Sequence, residues 1–172
     1  NIGRGEFMKI IPANGGTFNA YTSNDETYYY EVFPSNKLEL GLWMESERML
    51  HPVIDQVGVD TQREVVKEEK RQRYDSPYGK LFKVLGESLF KVHPYKDENI
   101  GKMEHINAAT LDEFMSYFDK YYTPTNAVMV VAGDIDLEDT KGLVEKYFSA
   151  VKPRPKPTRS FPKDDPITEV SR

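Results

Sequence analysis

Glu69 is the residue whose type and position most directly suggest chemistry. It lies in residues 60–74, a segment whose pattern predicts an amphipathic helix. At about 100° per residue, Glu69 shares one narrow stripe with Val65 and Val66, and Gln62 falls on the same stripe. The opposite side carries five charged residues, namely Arg63, Glu64, Lys67, Lys70 and Arg71. The pattern therefore predicts a carboxylate on the apolar face of this helix.

A carboxylate on an apolar face needs a cationic partner, because burying it alone costs several kcal/mol. Arg73 stands four residues after Glu69, and a glutamate and an arginine at this spacing form an ordinary helical ion pair. A bound metal ion is the second candidate partner. A third possibility is that the buried face of the helix has been assigned wrongly. The residue pattern alone leaves all three interpretations open.

Composition narrows the class of protein. The chain has 172 residues, of which 38% are hydrophobic, enough for one substantial core. The formal charge of −5, with cationic and acidic residues interspersed, argues against a nucleic-acid partner. No apolar run approaches the roughly 18 residues of a membrane span. The absence of cysteine excludes disulfides and thiol nucleophiles, and it fits either the periplasm or the cytoplasm of a bacterium.

The rest of the chain alternates predicted helices and strands. Aromatic and β-branched residues predict a hairpin of residues 17–22 and 27–33, and the apolar run 127–132 predicts a strand buried on both faces. Further helices are predicted over residues 6–13, 36–50, 81–90, from 110 onward and over 137–148. Three polar pairs have capping-box spacing, namely Asn36 with Glu39, Thr61 with Glu64 and Thr110 with Glu113.

Domain boundaries are suggested at both ends of the chain. Prolines alternate with cationic residues over 152–157, and such a segment is extended because every second residue fixes φ and lacks a donor. We therefore predict one domain over residues 1–150 and a Pro-rich linker over 151–172 that leads toward a second domain. Asn1 is not an initiator methionine and precedes a helical pattern closely, so we expect the numbering to begin inside a longer protein.

Six short motifs occur in order between Gly15 and Ile135. They are GGTFNAYT from Gly15, TYYY from Thr27, REVVKEE from Arg63, HPY from His93, YYTPTN from Tyr121 and VVAGDI from Val130. In order and spacing this set resembles the M16 peptidases, the family of pitrilysin, insulinase and the mitochondrial processing peptidase. Several matches in one order are far more specific than any single motif.

The resemblance implies a zinc metallopeptidase with an α+β fold, in which helices cover a mostly antiparallel sheet. In that family an inverted His-x-x-Glu-His motif supplies two zinc ligands and the general base, and a glutamate on a later helix supplies the third ligand. Glu69 aligns with that later glutamate, and the motif itself would lie upstream of Asn1. We therefore expect Glu69 to be a ligand of Zn²⁺ and expect no catalytic residue within this chain. Residues 1–150 would be the later part of the N-terminal catalytic domain.

The resemblance also assigns roles to four other residues. Asn19 and Ala20 match the exposed edge strand whose backbone pairs with an extended peptide substrate. The alternative for Asn19 is that it satisfies only its local turn. Gln62 falls where many members place a second glutamate that supports the site, and a neutral amide there contributes no charge. Arg73 is expected beside Glu69, as a neighbour of the metal ligand.

The three histidines do not supply the missing ligands. His51, His93 and His105 show neither the His-x-x-Glu-His pattern nor a pair four residues apart. His51 precedes a proline and is expected at a helix end, and His93 is expected to anchor a loop.

Three functional interpretations follow. The first is a zinc endopeptidase that works with a second homologous domain or subunit, and of which this chain alone is inactive. The second is a non-catalytic M16-like scaffold or peptide-binding subunit, which Gln62 favours mildly. The third is an unrelated α/β domain in which Glu69 and Arg73 pair by coincidence. The native sequence upstream of Asn1 would separate the first two.

Overall fold

The computed structural model describes residues 2–3 and 5–168 of the chain, so residues 169–172 of the predicted linker lie outside the described residues. The fold is α+β, as expected. A two-stranded antiparallel sheet pairs β1 with β2. The elements in chain order are α1 (Phe7–Ala13), β1 (Thr17–Thr22), β2 (Thr27–Val32), α2 (Leu38–Leu50), α3 (Gln56–Asp75), α4 (Leu81–Leu89), α5 (Met103–Ala108), α6 (Leu111–Tyr121) and α7 (Leu137–Phe148).

These elements fall into two compact units. The first comprises residues Asn1–Tyr21, Thr27–Ile54 and Met115–Pro157, and the second comprises Thr22–Glu26, Asp55–Phe114 and Thr158–Arg172. The second unit therefore combines α3, α4 and α5 with the hairpin turn and with described residues that follow the Pro-rich segment. None of the helices within the described residues is both long enough and apolar enough to cross a membrane.

The core of the first unit lies between α1, the hairpin and α2. Ile11 and Met44 are completely buried, and aromatic side chains pack around them, among them Phe7, Phe18, Phe33 and Trp43. The Gly15-Gly16 pair joins α1 to β1 because no larger residue fits there. Gly15 has a φ of +76°, and a Cβ on Gly16 would lie 2.7 Å from the Phe33 ring.

The predicted hairpin is confirmed, ending one residue earlier than expected at Val32. The predicted strand over residues 127–132 is wrong. This segment has no strand partner within the described residues, and Val128 and Val130 are 91% and 80% exposed. A continuous apolar run predicts a buried strand only if other strands pair with it on both sides. Among the described residues, β1 and β2 pair only with each other.

The Pro-rich segment is tied to the first unit at one residue. The backbone N–H of Arg154 donates to Thr123 Oγ1 at 2.9 Å, and its carbonyl accepts from Thr125 Oγ1 at 2.6 Å. The Arg154 guanidinium donates to the carbonyl of Asp119 at 2.8 Å. Residues 152–157 have no regular structure, as predicted, but Arg154 fastens them to the motif that begins at Tyr121.

Within the second unit, the chain after the Pro-rich segment packs against the HPY motif. The Asp164 carboxylate accepts backbone N–H groups of Lys91, Val92 and His93. These hydrogen bonds, led by that from Val92, lower the pKa of Asp164. The His93 ring lies 5.3 Å from the ring of Phe161. Residues after 157 thus contribute to the packing of this unit.

Candidate functional site

Helix α3 carries Glu69, and it begins earlier than predicted. The Asp55 carboxylate caps it by accepting the N–H of Gly58 at 2.7 Å, so the helix starts at Gln56 and not near residue 60. Thr61 was expected to cap the helix. Its hydroxyl instead donates to the Val57 carbonyl at 2.7 Å, inside the helix.

The predicted buried face of α3 is wrong. The Glu69 side chain is 58% exposed, and Gln62 and Val65 are also exposed. The buried residues of α3, all of which the structure describes, are Val59 and Lys70. Of the three interpretations that the pattern left open, the structure supports two: the buried face was assigned wrongly, and Glu69 pairs with Arg73.

The error has a physical cause. The periodicity rule places cations toward solvent, but Lys70 and Arg63 find enough oxygen acceptors to be packed inward. The Lys70 Nζ donates to the carbonyl of Gly101 at 2.7 Å. The Arg63 guanidinium donates to the carbonyls of Ile106 and Ala109, at 3.1 and 2.6 Å. A cation that is supplied with carbonyl oxygens can lie where the pattern predicts an apolar side chain.

Glu69 and Arg73 form the predicted ion pair. Arg73 Nη2 lies 3.2 Å from Glu69 Oε1, with the two side chains 41% and 58% exposed. An exposed pair of this kind is worth less than about 1 kcal/mol, so it does not prevent the carboxylate from binding a stronger cation. Arg73 also lines an open cleft of about 600 Å³ together with Phe82, Leu85 and Tyr95.

A zinc ion fits Glu69 as one ligand of several. A carboxylate oxygen is a normal zinc ligand, and its exposure leaves it accessible to an ion. A zinc site needs at least three protein ligands. No three His, Asp or Glu side chains come together as a metal site in the part of the chain that the structure describes. Glu69 would therefore be one donor among several, and the others would come from elsewhere.

The predicted substrate-binding residues lie in the first unit, on β1. The N–H of Ala20 donates to the side-chain carbonyl of Asn19 at 2.8 Å, and both residues are exposed. Strand β1 has β2 as its partner in the described sheet. The Asn19 side chain therefore contacts the next residue within β1, and not a turn as its alternative role supposed. A peptide that pairs with the Ala20 N–H would have to displace the Asn19 side chain.

The histidines occupy the structural positions expected for them. His51 follows the last residue of α2 and its Nδ1 lies 3.1 Å from both carboxylate oxygens of Glu47. His93 Nδ1 accepts the N–H of Tyr95 at 3.2 Å, which anchors the HPY loop. The His105 side chain is 72% exposed.

A pair of acids in the first unit, one of them buried, was not predicted. Glu31 on β2 is 8% exposed, and its two oxygens accept no N–H or O–H bond from the described residues. Burial raises the pKa of Glu31 to about 8, assisted by the neighbouring Glu45 carboxyl group. Arg48 lies 2.9 Å from Glu45 and 4.0 Å from Glu31. The alternation of β2 could have revealed this pair, because Glu31 shares the inward face of the strand with Tyr29.

The fold is α+β, and comparison with known proteins identifies the family. Residues 3–103 match the family described as insulinase (peptidase family M16), and residues 108–171 match the Peptidase M16 inactive domain. The chain belongs to the M16 peptidase family.

The relatives are named as zinc proteases. The chain is 34% identical to the zinc protease PqqE of Helicobacter pylori over 88% of its own length, and 32% identical to an uncharacterized zinc protease of Mycobacterium leprae over 84%. It covers 34% and 33% of those proteins, so it spans about a third of their length.

Solved structures give the same result. A protease from Helicobacter pylori matches with a TM-score of 0.84 and 32% identity, over 95% of this chain and 39% of that one. The first half of the periplasmic protease PqqL from Escherichia coli matches with a TM-score of 0.75 and 25% identity, over 86% of this chain and 32% of that one.

Proposed function

We propose that the whole protein that contains this chain is a zinc-dependent endopeptidase that cleaves extended peptides or small proteins. The observation that carries the proposal is the Glu69 carboxylate. It stands in the REVVKEE motif on α3, it is 58% exposed, and its ion partner among the described residues is Arg73, which is 41% exposed. The relatives are named as zinc proteases, which supports zinc as the metal.

Glu69 would bind the metal through a carboxylate oxygen, and bound zinc would supply Lewis acidity and a water of lowered pKa. Arg73 would then lose its present partner or share it with the metal. Gln62 lies on the same exposed stripe of α3 and can offer hydrogen bonds but no charge. The general base and the remaining ligands would come from residues upstream of Asn1.

Strand β1 would hold the substrate. Its backbone at Asn19 and Ala20 is exposed, and pairing a peptide with the edge of a sheet gives affinity with little demand on side-chain sequence. In the first step of binding, the Asn19 amide would release the Ala20 N–H, which could then donate to a substrate carbonyl. Such a site accepts substrates in an extended conformation.

Residues 1–150 would serve as the later part of the catalytic domain, and residues 151–172 would lead to a second homologous half. The description of one matched structure as the first half of a protease is consistent with such halves. The chain alone would be inactive. A non-catalytic M16-like subunit is the alternative, and the specific observation that favours it is the neutral Gln62.

The test is the zinc content of the whole protein after exhaustive dialysis. We expect stoichiometric zinc in the wild type and almost none in Glu69→Gln, because an amide is a poor zinc ligand. Glu68→Gln is the matched control, since Glu68 is similarly exposed and pairs with Arg71. Equal zinc in all three proteins would remove Glu69 from the site.

Peptide hydrolysis then separates the two functions. A peptidase loses activity with a chelator and regains it with zinc. A zinc-loaded wild-type protein that binds extended peptides and cleaves none would establish the non-catalytic alternative.

A further inference from the structure

We propose that Lys70 is a positioning residue for Glu69: its buried ammonium group sets the rotation of α3 and so determines where the Glu69 carboxylate is presented. This inference rests on the proposed role of Glu69 as a metal ligand. It concerns the buried side chain next to that ligand on α3, about 100° around the helix axis from it.

Lys70 makes an unusually complete set of contacts for a lysine. The residue is 8% exposed. Its Nζ donates to the Gly101 carbonyl at 2.7 Å and to the Tyr74 hydroxyl at 3.1 Å, and it lies 3.5 Å from the carboxylate of Glu98, itself 11% exposed. The Tyr74 hydroxyl in turn donates to the same Glu98 oxygen. The ammonium, the phenol and the carboxylate therefore form a closed, buried network.

The hydrogen bonds of this network depend on direction, whereas the apolar packing of α3 does not. Val59 is the one buried apolar residue of the helix, and contacts of apolar surface are non-directional. Hydrogen bonds weaken steeply away from their preferred angle and distance. Arg63 repeats the arrangement seven residues earlier, about 10 Å along the axis, with its two backbone carbonyls. Two clamped cations on one side of a helix fix its rotation.

The consequence for Glu69 follows from helix geometry. Successive side chains are about 100° apart, so clamping Lys70 inward fixes the direction of its neighbour Glu69. A zinc site tolerates only about 0.2 Å of error in ligand distance. A helix that can rotate or shift by a fraction of a turn would present the carboxylate to the metal in a poorer geometry. Outer residues that orient a ligand typically change metal affinity by roughly 10- to 100-fold.

The experiment compares variants of the whole protein in two measurements: the zinc dissociation constant, by competition with a chelator of known affinity, and the visible spectrum of the Co²⁺-substituted protein. Lys70→Met keeps the length of the side chain and removes its charge. We expect it to weaken zinc binding roughly 10- to 100-fold and to alter the cobalt spectrum. Arg71→Met is the matched control, because the Arg71 side chain on the same helix is 53% exposed and pairs with the exposed Glu68, and we expect wild-type behaviour from it.

Tyr74→Phe is the milder variant should Lys70→Met fail to fold. It keeps the ring and removes only the hydroxyl shared by Lys70 and Glu98, so we expect a smaller weakening in the same direction. A lower melting temperature with wild-type zinc affinity and an unchanged cobalt spectrum would overturn the proposal, since the network would then only stabilise the fold. If Glu69→Gln loses zinc and the Lys70 and Tyr74 variants retain it, the positioning role alone fails. A wild type that binds no zinc overturns the proposed function as well.

Discussion

Glu31 shows how one side chain can make the stability of this protein depend on pH. Its oxygens are buried beside the Glu45 carboxylate, and one guanidinium, that of Arg48, serves both acids. The Arg48 guanidinium is further held over the rings of Phe7 and Tyr29, at 4.7 and 4.2 Å from their centroids. One positive charge can balance only one carboxylate. Burial of the Glu31 carboxyl, together with the neighbouring Glu45, therefore outweighs the attraction of Arg48 and raises the pKa of Glu31 to about 8.

The raised pKa of Glu31 predicts a loss of stability with rising pH. Between the ordinary value of 4.5 and about 8, the folded protein keeps a proton that the unfolded chain releases. Stability therefore falls across this window and levels off above it. In Glu31→Gln the amide stays neutral, so the melting temperature of the whole protein should fall less between pH 5 and pH 9 than in the wild type. Glu104→Gln, at a site 76% exposed, is the control. Equal pH profiles for wild type and Glu31→Gln would contradict the assignment.

Among the elements, α7 illustrates how a helix start is encoded locally. Asp136 precedes it and its carboxylate accepts the N–H groups of Glu138 and Asp139, both at 2.9 Å. The other end of α7 is held to α2, because Lys146 and Tyr147 both bond to the Glu39 carboxylate, at 2.6 and 2.7 Å. The helix thus depends on one local cap and on one tertiary contact.

Removing that cap should destabilise the protein measurably. We expect Asp136→Ala to lower the free energy of unfolding by about 1 kcal/mol, because two helix N–H groups lose their acceptor. Asp136→Asn keeps a side-chain acceptor and should retain most of the stability. Urea denaturation of the three proteins measures both effects. An asparagine variant as unstable as the alanine variant would show that the charge of Asp136, and not its capping bond, matters.

Of the capping pairs predicted from the sequence, some cap a helix in the structure and others do not. Thr110 and Glu113 form the predicted box, with the Thr110 N–H donating to Glu113 at 2.7 Å and the Glu113 N–H donating back to Thr110 at 3.3 Å. The predicted pair Asn36 and Glu39 does not cap α2, because a short 3-10 turn precedes the helix and Glu39 bonds to α7 instead. Local spacing identifies groups that can cap, and tertiary partners decide whether they do.

At the scale of the whole molecule, the chain covers about a third of the length of its relatives, and its proposed metal site needs donors beyond it. We therefore predict that the 172-residue chain, prepared alone and dialysed with zinc, retains no stoichiometric metal, whereas the whole protein does. The reason is that a single carboxylate cannot hold zinc against water. Elemental analysis of both proteins checks this. Zinc bound to the short chain through Glu69 and a histidine would show that the ligands were assigned wrongly.

The sequence was sufficient to predict the hairpin, the α+β class and the M16 family. Alternating β-branched and aromatic residues, glycine pairs and ordered motifs are all local signals. Residue 69 as the candidate ligand came from motif order as well, and its pairing with Arg73 from helical spacing. The buried sides of α3 and of residues 127–132 could not be obtained in this way. The periodicity of a sequence shows which side of a helix or strand is more apolar, whereas the burial of that side depends on which groups pack against it. Gly101 and Glu98 give Lys70 a buried place that its charge would not predict, and the apolar run from Ala127 stays exposed because no described strand pairs with it.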